Sequence, residues 1–182
     1  MEPALHFPKA KDLFDEIPAA GEDITARPTE ESSLDFLVAL AKSPTPEEAI
    51  TFGAYLLPKR KCVWWGHECV RILLHLLTDQ DLRMLQLAEA WVRDPDEAQR
   101  VAAMNEALSA LHKTPGVLIA LAAAWTSGSV ADGRMPAIPP PPYLTARAVN
   151  AGILTALARV DLRQRAATLN GFVEMGVRLA SR

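Results

Sequence analysis

One stretch of the chain concentrates the side chains able to do chemistry. Leu56-Leu57-Pro58-Lys59-Arg60-Lys61-Cys62-Val63-Trp64-Trp65-Gly66-His67-Glu68-Cys69-Val70-Arg71 carries two thiols, an imidazole beside a carboxylate, two adjacent indoles and three consecutive cations. Metal binding would call for close donor pairs such as Cys-x2-Cys or His-x3-His. Here Cys62 and Cys69 are seven residues apart and His67 and His75 eight, so neither a metal nor another cofactor is expected. A nucleophilic cysteine needs a neighbouring base and a lowered thiol pKa, and a cysteine facing Leu and Val is pushed the other way. Seven helical residues also separate the two Cα atoms by roughly 10 Å, beyond the limit of about 7 Å for a disulfide. Both cysteines are expected as free thiols.

Recognition suits the stretch better than catalysis. Lys59-Arg60-Lys61 follows Pro58 at the start of a helix, where cations and free backbone amides favour a phosphate or an acidic protein surface; a solvated helix end is the alternative. Adjacent tryptophans diverge by about 100° on a helix, so one can fill the core while the other stands at its margin; burial of both is the alternative. The candidate interaction surface comprises Lys59, Arg60, Lys61, Trp64, Trp65, His67 and Arg71, with Arg134 and Tyr143 from a later loop. Asp79, Asp81, Asp94, Asp96 and Glu97 read as helix-start charges, each worth about 0.3–1 kcal/mol there, rather than as acid–base pairs. No nucleophile elbow, phosphate loop, dinucleotide fingerprint or His-Glu-x-x-His is present. No catalytic residue is assigned, and enzyme activity has no support in the sequence.

The scaffold for these residues is helical. The 182 residues are 49% hydrophobic but only 6% aromatic, and the dominance of Ala and Leu favours close-packed helices over sheets. Leu34, Leu37, Val38 and Ala41 share a helix face that ends at Ser43-Pro44. Thr45-Pro46-Glu47-Glu48 supplies a cap, a first-turn proline and a capping-box Glu for a second helix running to about Leu57. A third helix is expected from Lys59 to Leu77, and a fourth, opened by Asp79, runs from Leu82 to Arg93. A fifth is capped by Asp94 and ends near Lys113, and a sixth, opened by Thr114-Pro115, carries Val117 to Trp125. Two more span Tyr143 to Arg159 and Leu162 to Ala180, where Ala151, Gly152, Gly171 and Gly176 permit close helix contacts.

Two segments fall outside this pattern. Residues 1–29 hold four prolines and a glycine around one amphipathic patch, Lys9 to Ile17, and read as a loosely held, partly disordered arm before a single helical domain, 30–182. Residues 126–142 form a Pro-rich loop with polyproline II character. The middle of the chain also shows a faint period. Tyr55, Trp91 and Trp125 follow Ala-rich sequence at spacings of about 36 and 34 residues, each before a break and a further helix. The expected architecture is thus all-α, either a multi-helix bundle or a short superhelix of stacked helix pairs in the TPR or HEAT manner.

Charge and hydropathy narrow the setting. A net charge of −3 gives no general attraction to nucleic acid or anionic lipid, although Arg159, Arg163, Arg165, Arg178 and Arg182 make the C-terminal segment locally basic. Val117 to Trp125, the longest strongly apolar run, is far short of the roughly 20 residues that span a bilayer. The prolines and acids of MEPALHFPKAKDLFDEIP do not resemble a secretory signal, so no membrane partner and a cytoplasmic location are expected.

AITFGAYLLPKRKCVWWGHECVR, together with AEAWVRDPDEAQRVAAM, resembles a family of small uncharacterised bacterial proteins with an LLP-x-R-x-x-VWW-x-x-x-CVR core, over about Pro46 to Trp125. Relatives near type VI secretion genes would imply an accessory or adaptor role. The expected function is a non-enzymatic protein-interaction module whose partner is another protein, a secretion component or effector. Alternatives are a small-ligand binder or enzyme with a pocket near Trp64, His67 and Glu68, and a homo-oligomeric structural or regulatory component.

Overall fold

The computed structural model describes residues 5–130 and 136–181. Among them run ten α-helices: α1 (Ala10–Glu16), α2 (Pro18–Asp23), α3 (Ser33–Ala41), α4 (Glu48–Leu56), α5 (Lys59–Arg71), α6 (Asp79–Arg93), α7 (Glu97–Ser109), α8 (Pro115–Ala124), α9 (Leu144–Leu157) and α10 (Leu162–Ala180). A 3-10 turn, Leu74–Leu76, links α5 to α6, and one isolated bridge joins Lys9 to Ser32. The all-α expectation holds.

Side-chain caps open four of the ten helices. The Ser32 hydroxyl accepts the Asp35 amide at 3.1 Å to open α3, and the Thr78 hydroxyl accepts the Asp81 amide at 3.2 Å to open α6. The Asp81 carboxylate returns to the Thr78 amide at 3.1 Å and closes a capping box. Elsewhere the caps depart from expectation. Asp94 ends α6 by donating its amide to the Ala90 carbonyl, so the cap of α7 passes to Asp96, whose carboxylate accepts the Gln99 amide at 2.7 Å. Glu48 turns its carboxylate to the amides of Thr25 and Ala26, at 2.7 and 3.2 Å, and so fastens the arm to α4. The helix expected to reach Leu77 stops at Arg71. Only Leu73 of the apolar run that follows is buried; Ile72 and Leu74 stay 53% and 52% exposed, and the Leu76 carbonyl is satisfied from outside by Arg159 at 2.9 Å.

The packing closes on itself. Every residue of α4 from Ala49 to Leu56 is buried, as is nearly all of α8, the pattern of helices surrounded on all sides. α8 packs on α6, α7 and α9; α9 returns to α4 and α5, and α10 lies on α3 and α4. In a linear stack each unit touches only its neighbours, so this closure is that of a bundle. Tyr55, Trp91 and Trp125 do stand at helix ends, in the last turns of α4 and α6 and as the C-cap of α8.

Trp65 anchors the centre. It is fully buried, and its indole N–H donates to the Phe172 carbonyl at 2.9 Å. Gly53 and Gly176 make room for the ring: a Cβ on either would lie 2.9 or 3.2 Å from an indole carbon. Gly176, and Gly152 against Ile119, thus serve the close contacts expected of them, whereas a Cβ at Gly171 would meet open space.

The arm is more ordered than its prolines suggest. Residues 5–29 contain α1 and α2, and Ala10, Leu13, Ala20 and Ile24 are buried in the main core. Phe14, Phe36 and Phe52 meet ring to ring across α1, α3 and α4. Acidic residues of α2 reach α9: the Arg147 guanidinium donates to Asp23 at 2.8 and 3.0 Å and to Glu22 at 3.0 Å. Tyr55 donates its hydroxyl to the same Asp23 carboxylate.

The start of α8 is held more tightly still. The Gly116 amide donates to the buried Asp81 carboxylate at 2.8 Å, and a Cβ on Gly116 would sit 2.4 Å from the Asp81 carbonyl oxygen. No side-chain adjustment relieves a clash with backbone, so Gly116→Ala should separate α6 from α8 and cost about 3 kcal/mol, in the upper range for overpacking. Urea denaturation of the variant beside wild type measures it, and an unchanged midpoint would contradict this packing.

Candidate functional site

Burial sorts the side chains of α5 into distinct groups. Cys62, Val63, Trp65, Gly66, Cys69 and Val70 face the core. Both cysteines are free; Cys62 donates its S–H to the Ala54 carbonyl at 3.2 Å, and burial pushes both thiols well above their ordinary pKa. Neither has the character of a nucleophile. Trp65 and His67, both placed on the candidate surface by sequence, lie inside instead, at 0% and 2% exposure. For Trp65 the reason is the glycine-lined slot between α4 and α10.

His67 belongs to a polar seam between α5 and α6. Its Nδ1 lies 3.1 Å from the Glu68 carboxylate, so the ionised acid selects the tautomer that donates from Nδ1. Nε2 faces Glu89 at 3.9 Å, and the Trp64 ring stacks on the imidazole at 5.1 Å with 12° between planes. Arg71, exposed at the end of α5, grips both oxygens of Glu68 at 2.9 and 2.8 Å. That grip, against some desolvation, holds the Glu68 carboxyl below its usual range. Burial lowers the His67 pKa despite the nearby carboxylates. Among the described residues no cluster of three His, Cys, Asp or Glu is placed to hold a metal.

Trp64 is the half-buried member of the tryptophan pair. One face covers His67, and the residue borders a shallow cavity of about 350 Å³ lined by Arg60, Lys61, Val92 and Arg93. Arg60 is positioned by the end of α6, donating to the carbonyls of Val92 and Arg93 at 2.8 and 3.4 Å, the groups a helix C-terminus leaves open. Arg93 also pairs with Glu89 at 2.5 Å. The result is an indole edge and an apolar valine framed by three cations. His67 and Glu68 do not line this cavity, so the pocket expected at Trp64, His67 and Glu68 reduces to Trp64 and its basic neighbours.

The remaining candidate residues lie elsewhere. Lys59 donates to the Thr126 carbonyl at 2.8 Å, beyond the end of α8, and lines a different cleft. Tyr143 precedes α9 with the Arg147 guanidinium 4.3 Å above its ring. Arg134 lies outside the described residues. Sequence reading missed Val92 and Arg93 as partners of Trp64, because their proximity depends on how α6 returns against α5. It also missed a groove of about 720 Å³ between α3 and α10, bordered by Val38, Lys42, Val173, Glu174, Val177 and Arg178.

A depressed pKa makes His67 a source of acid sensitivity. The folded state holds the imidazole neutral, so its contribution is complete above the unfolded value near 6.5 and is lost as pH falls below it. His67→Gln should flatten the dependence of the urea midpoint between pH 7 and 5 relative to wild type. An equally steep fall in the variant would assign the sensitivity to other groups.

The sequence model of a family of unknown function (DUF6931) matches residues 36–180. No curated protein and no solved structure matches the chain.

Proposed function

Because the chain belongs to this family of unknown function, we propose on its own geometry that it is a non-enzymatic protein-binding module whose contact face centres on Trp64. The observation that carries the proposal is the Trp64 cavity: a half-buried indole and Val92 bordered by Arg60, Lys61 and Arg93 on α5 and α6. Tryptophan and arginine are enriched among the residues that dominate interface energies. Trp64 also loses little conformational freedom on binding, since its ring is already stacked on His67.

The charge pattern supports a partner of complementary charge. Three cations around an apolar floor suit an apolar side chain flanked by carboxylates on the partner's surface. An adaptor or accessory role in a bacterial secretion system, type VI in particular, is the biological setting that the Leu56 to Arg71 motif motivates. Among the described residues no helix is long and apolar enough to cross a membrane, which is compatible with an adaptor that meets its partner in solution.

Capture of partners from a native-host lysate tests the proposal, with wild type compared against Trp64→Ala and Arg93→Glu. Both variants should retain wild-type circular dichroism. A specific partner of the wild type should bind either variant at least about tenfold more weakly, as expected for loss of an interface anchor worth about 2 kcal/mol. Repeated failure to recover a specific partner, or undiminished capture by both variants, would reject this face.

A further inference from the structure

On the side of the bundle where the arm is fastened, a cleft of about 340 Å³ opens between the arm, the α4–α5 corner and the start of α9. Its walls are mainly apolar: Phe7 and Ile17 from the arm, Leu57 and Pro58 from the corner, Pro142 and Ala146 from α9 and its approach. The volume is within the range of small-molecule sites, which typically combine apolar walls with a few placed polar groups.

The polar groups in the cleft are unequally committed. Tyr55 spends its hydroxyl on Asp23, and the Thr145 hydroxyl donates to the Trp125 carbonyl at 3.1 Å. Glu16 and His6 stand 3.5 Å apart, each largely exposed. Lys59 differs. An ammonium has three donors, and among the described residues its acceptor is the Thr126 carbonyl. Among the described residues no carboxylate lies within ion-pair distance of it, and partial burial lowers its pKa with no opposing acid. Lys59 is thus an exposed cation with donor capacity to spare beside an apolar cleft, and it has no counter-ion among the described residues.

We propose that this cleft binds a small amphiphilic carboxylate, its acid on the Lys59 ammonium and its aliphatic body along Leu57, Pro58, Pro142 and Ala146. The binding is non-covalent. Cys62 also borders the cleft, but its thiol is raised in pKa by burial and takes no part beyond lining it. The site is separate from the Trp64 face, so either proposal can fail without the other.

Calorimetric titration of the full chain with octanoate tests the site, with octanol and octylamine as tail-matched probes. Octanoate should bind saturably at one site and more tightly than octanol, while octylamine should be the weakest. Lys59→Gln should weaken octanoate roughly tenfold, the expected loss of a charge-assisted hydrogen bond, and leave octanol within about twofold; Lys59→Arg should restore most of the octanoate affinity. Ala146→Leu, which fills the cleft and leaves the Lys59–Thr126 contact intact, should abolish both, and it decides the matter if Lys59→Gln is unstable. Absence of saturable octanoate binding, equal affinity for the three probes, or octanoate affinity unaffected by Ala146→Leu would overturn the assignment.

Discussion

The position of Trp65 constrains most of what surrounds it. An indole of this size enters a helical core only where neighbouring helices lack side chains, and Gly53 on α4 and Gly176 on α10 provide that gap. Once the ring is seated and its N–H is satisfied by Phe172, the rotation of α5 about its own axis is fixed. The next residue back, Trp64, must then emerge about 100° away, over His67 and toward the end of α6. The same rotation turns Cys62, Cys69 and Val70 inward and leaves Arg71 free to clamp Glu68 in the seam. The surface indole is therefore a geometric consequence of the buried one.

Buried charge performs the complementary task of setting how helices meet. Asp81 is fully buried, yet it accepts from the Thr78 and Gly116 amides and faces Arg159 at 3.3 Å. Burial alone would raise its pKa; these hydrogen bonds outweigh that effect and hold it below the usual carboxylate range. One carboxylate thereby joins the starts of α6 and α8 to the end of α9. Arg100 plays a similar part at the opposite end of α8. Its guanidinium, 3% exposed, binds Glu97 through Nε and Nη2 at 2.7 and 2.6 Å and caps the Ala124 carbonyl through Nη1 at 2.7 Å. Gly128, at φ 70°, lies so close that a Cβ there would fall 2.5 Å from the guanidinium. Burying such a charge is costly, and removing its partners would leave that cost uncompensated.

What was legible in the sequence was local. The prolines at 58 and 115 and the spacing of Leu34, Leu37 and Ala41 act through neighbours in the chain, and the helices begin or end where those signals stand; α6 begins at Asp79 as expected, although its cap is Thr78, which was not read from the sequence. Signals with two possible readings were settled by distant partners. Asp94 and Asp96 are both competent caps, and the choice between them depended on where α6 could stop. Glu48 had the right spacing for a capping box but found better-placed amides in the arm. The apolar run after Arg71 matched a core stripe, yet the chain there had to turn toward α6. The arm's helices were obscured by prolines at 8 and 18, which mark their flanks rather than forbid them. The candidate surface was legible only in part for the same reason: Trp64, Arg60 and Lys61 are neighbours along one helix, whereas Val92 and Arg93 join them through the fold.

The residues that match the family begin at 36, after α1 and α2, so the Trp64 cavity and the Lys59 cleft differ in which residues build them. The Trp64 cavity is built wholly from α5 and α6, inside the shared span. The cleft beside Lys59 borrows one wall from outside it. This chain cut back to the matched span would keep every residue that lines the Trp64 cavity but would lose the wall that His6, Phe7, Glu16 and Ile17 give the cleft. The first concavity therefore depends only on residues that the family model matches, and the second depends on the arm as well.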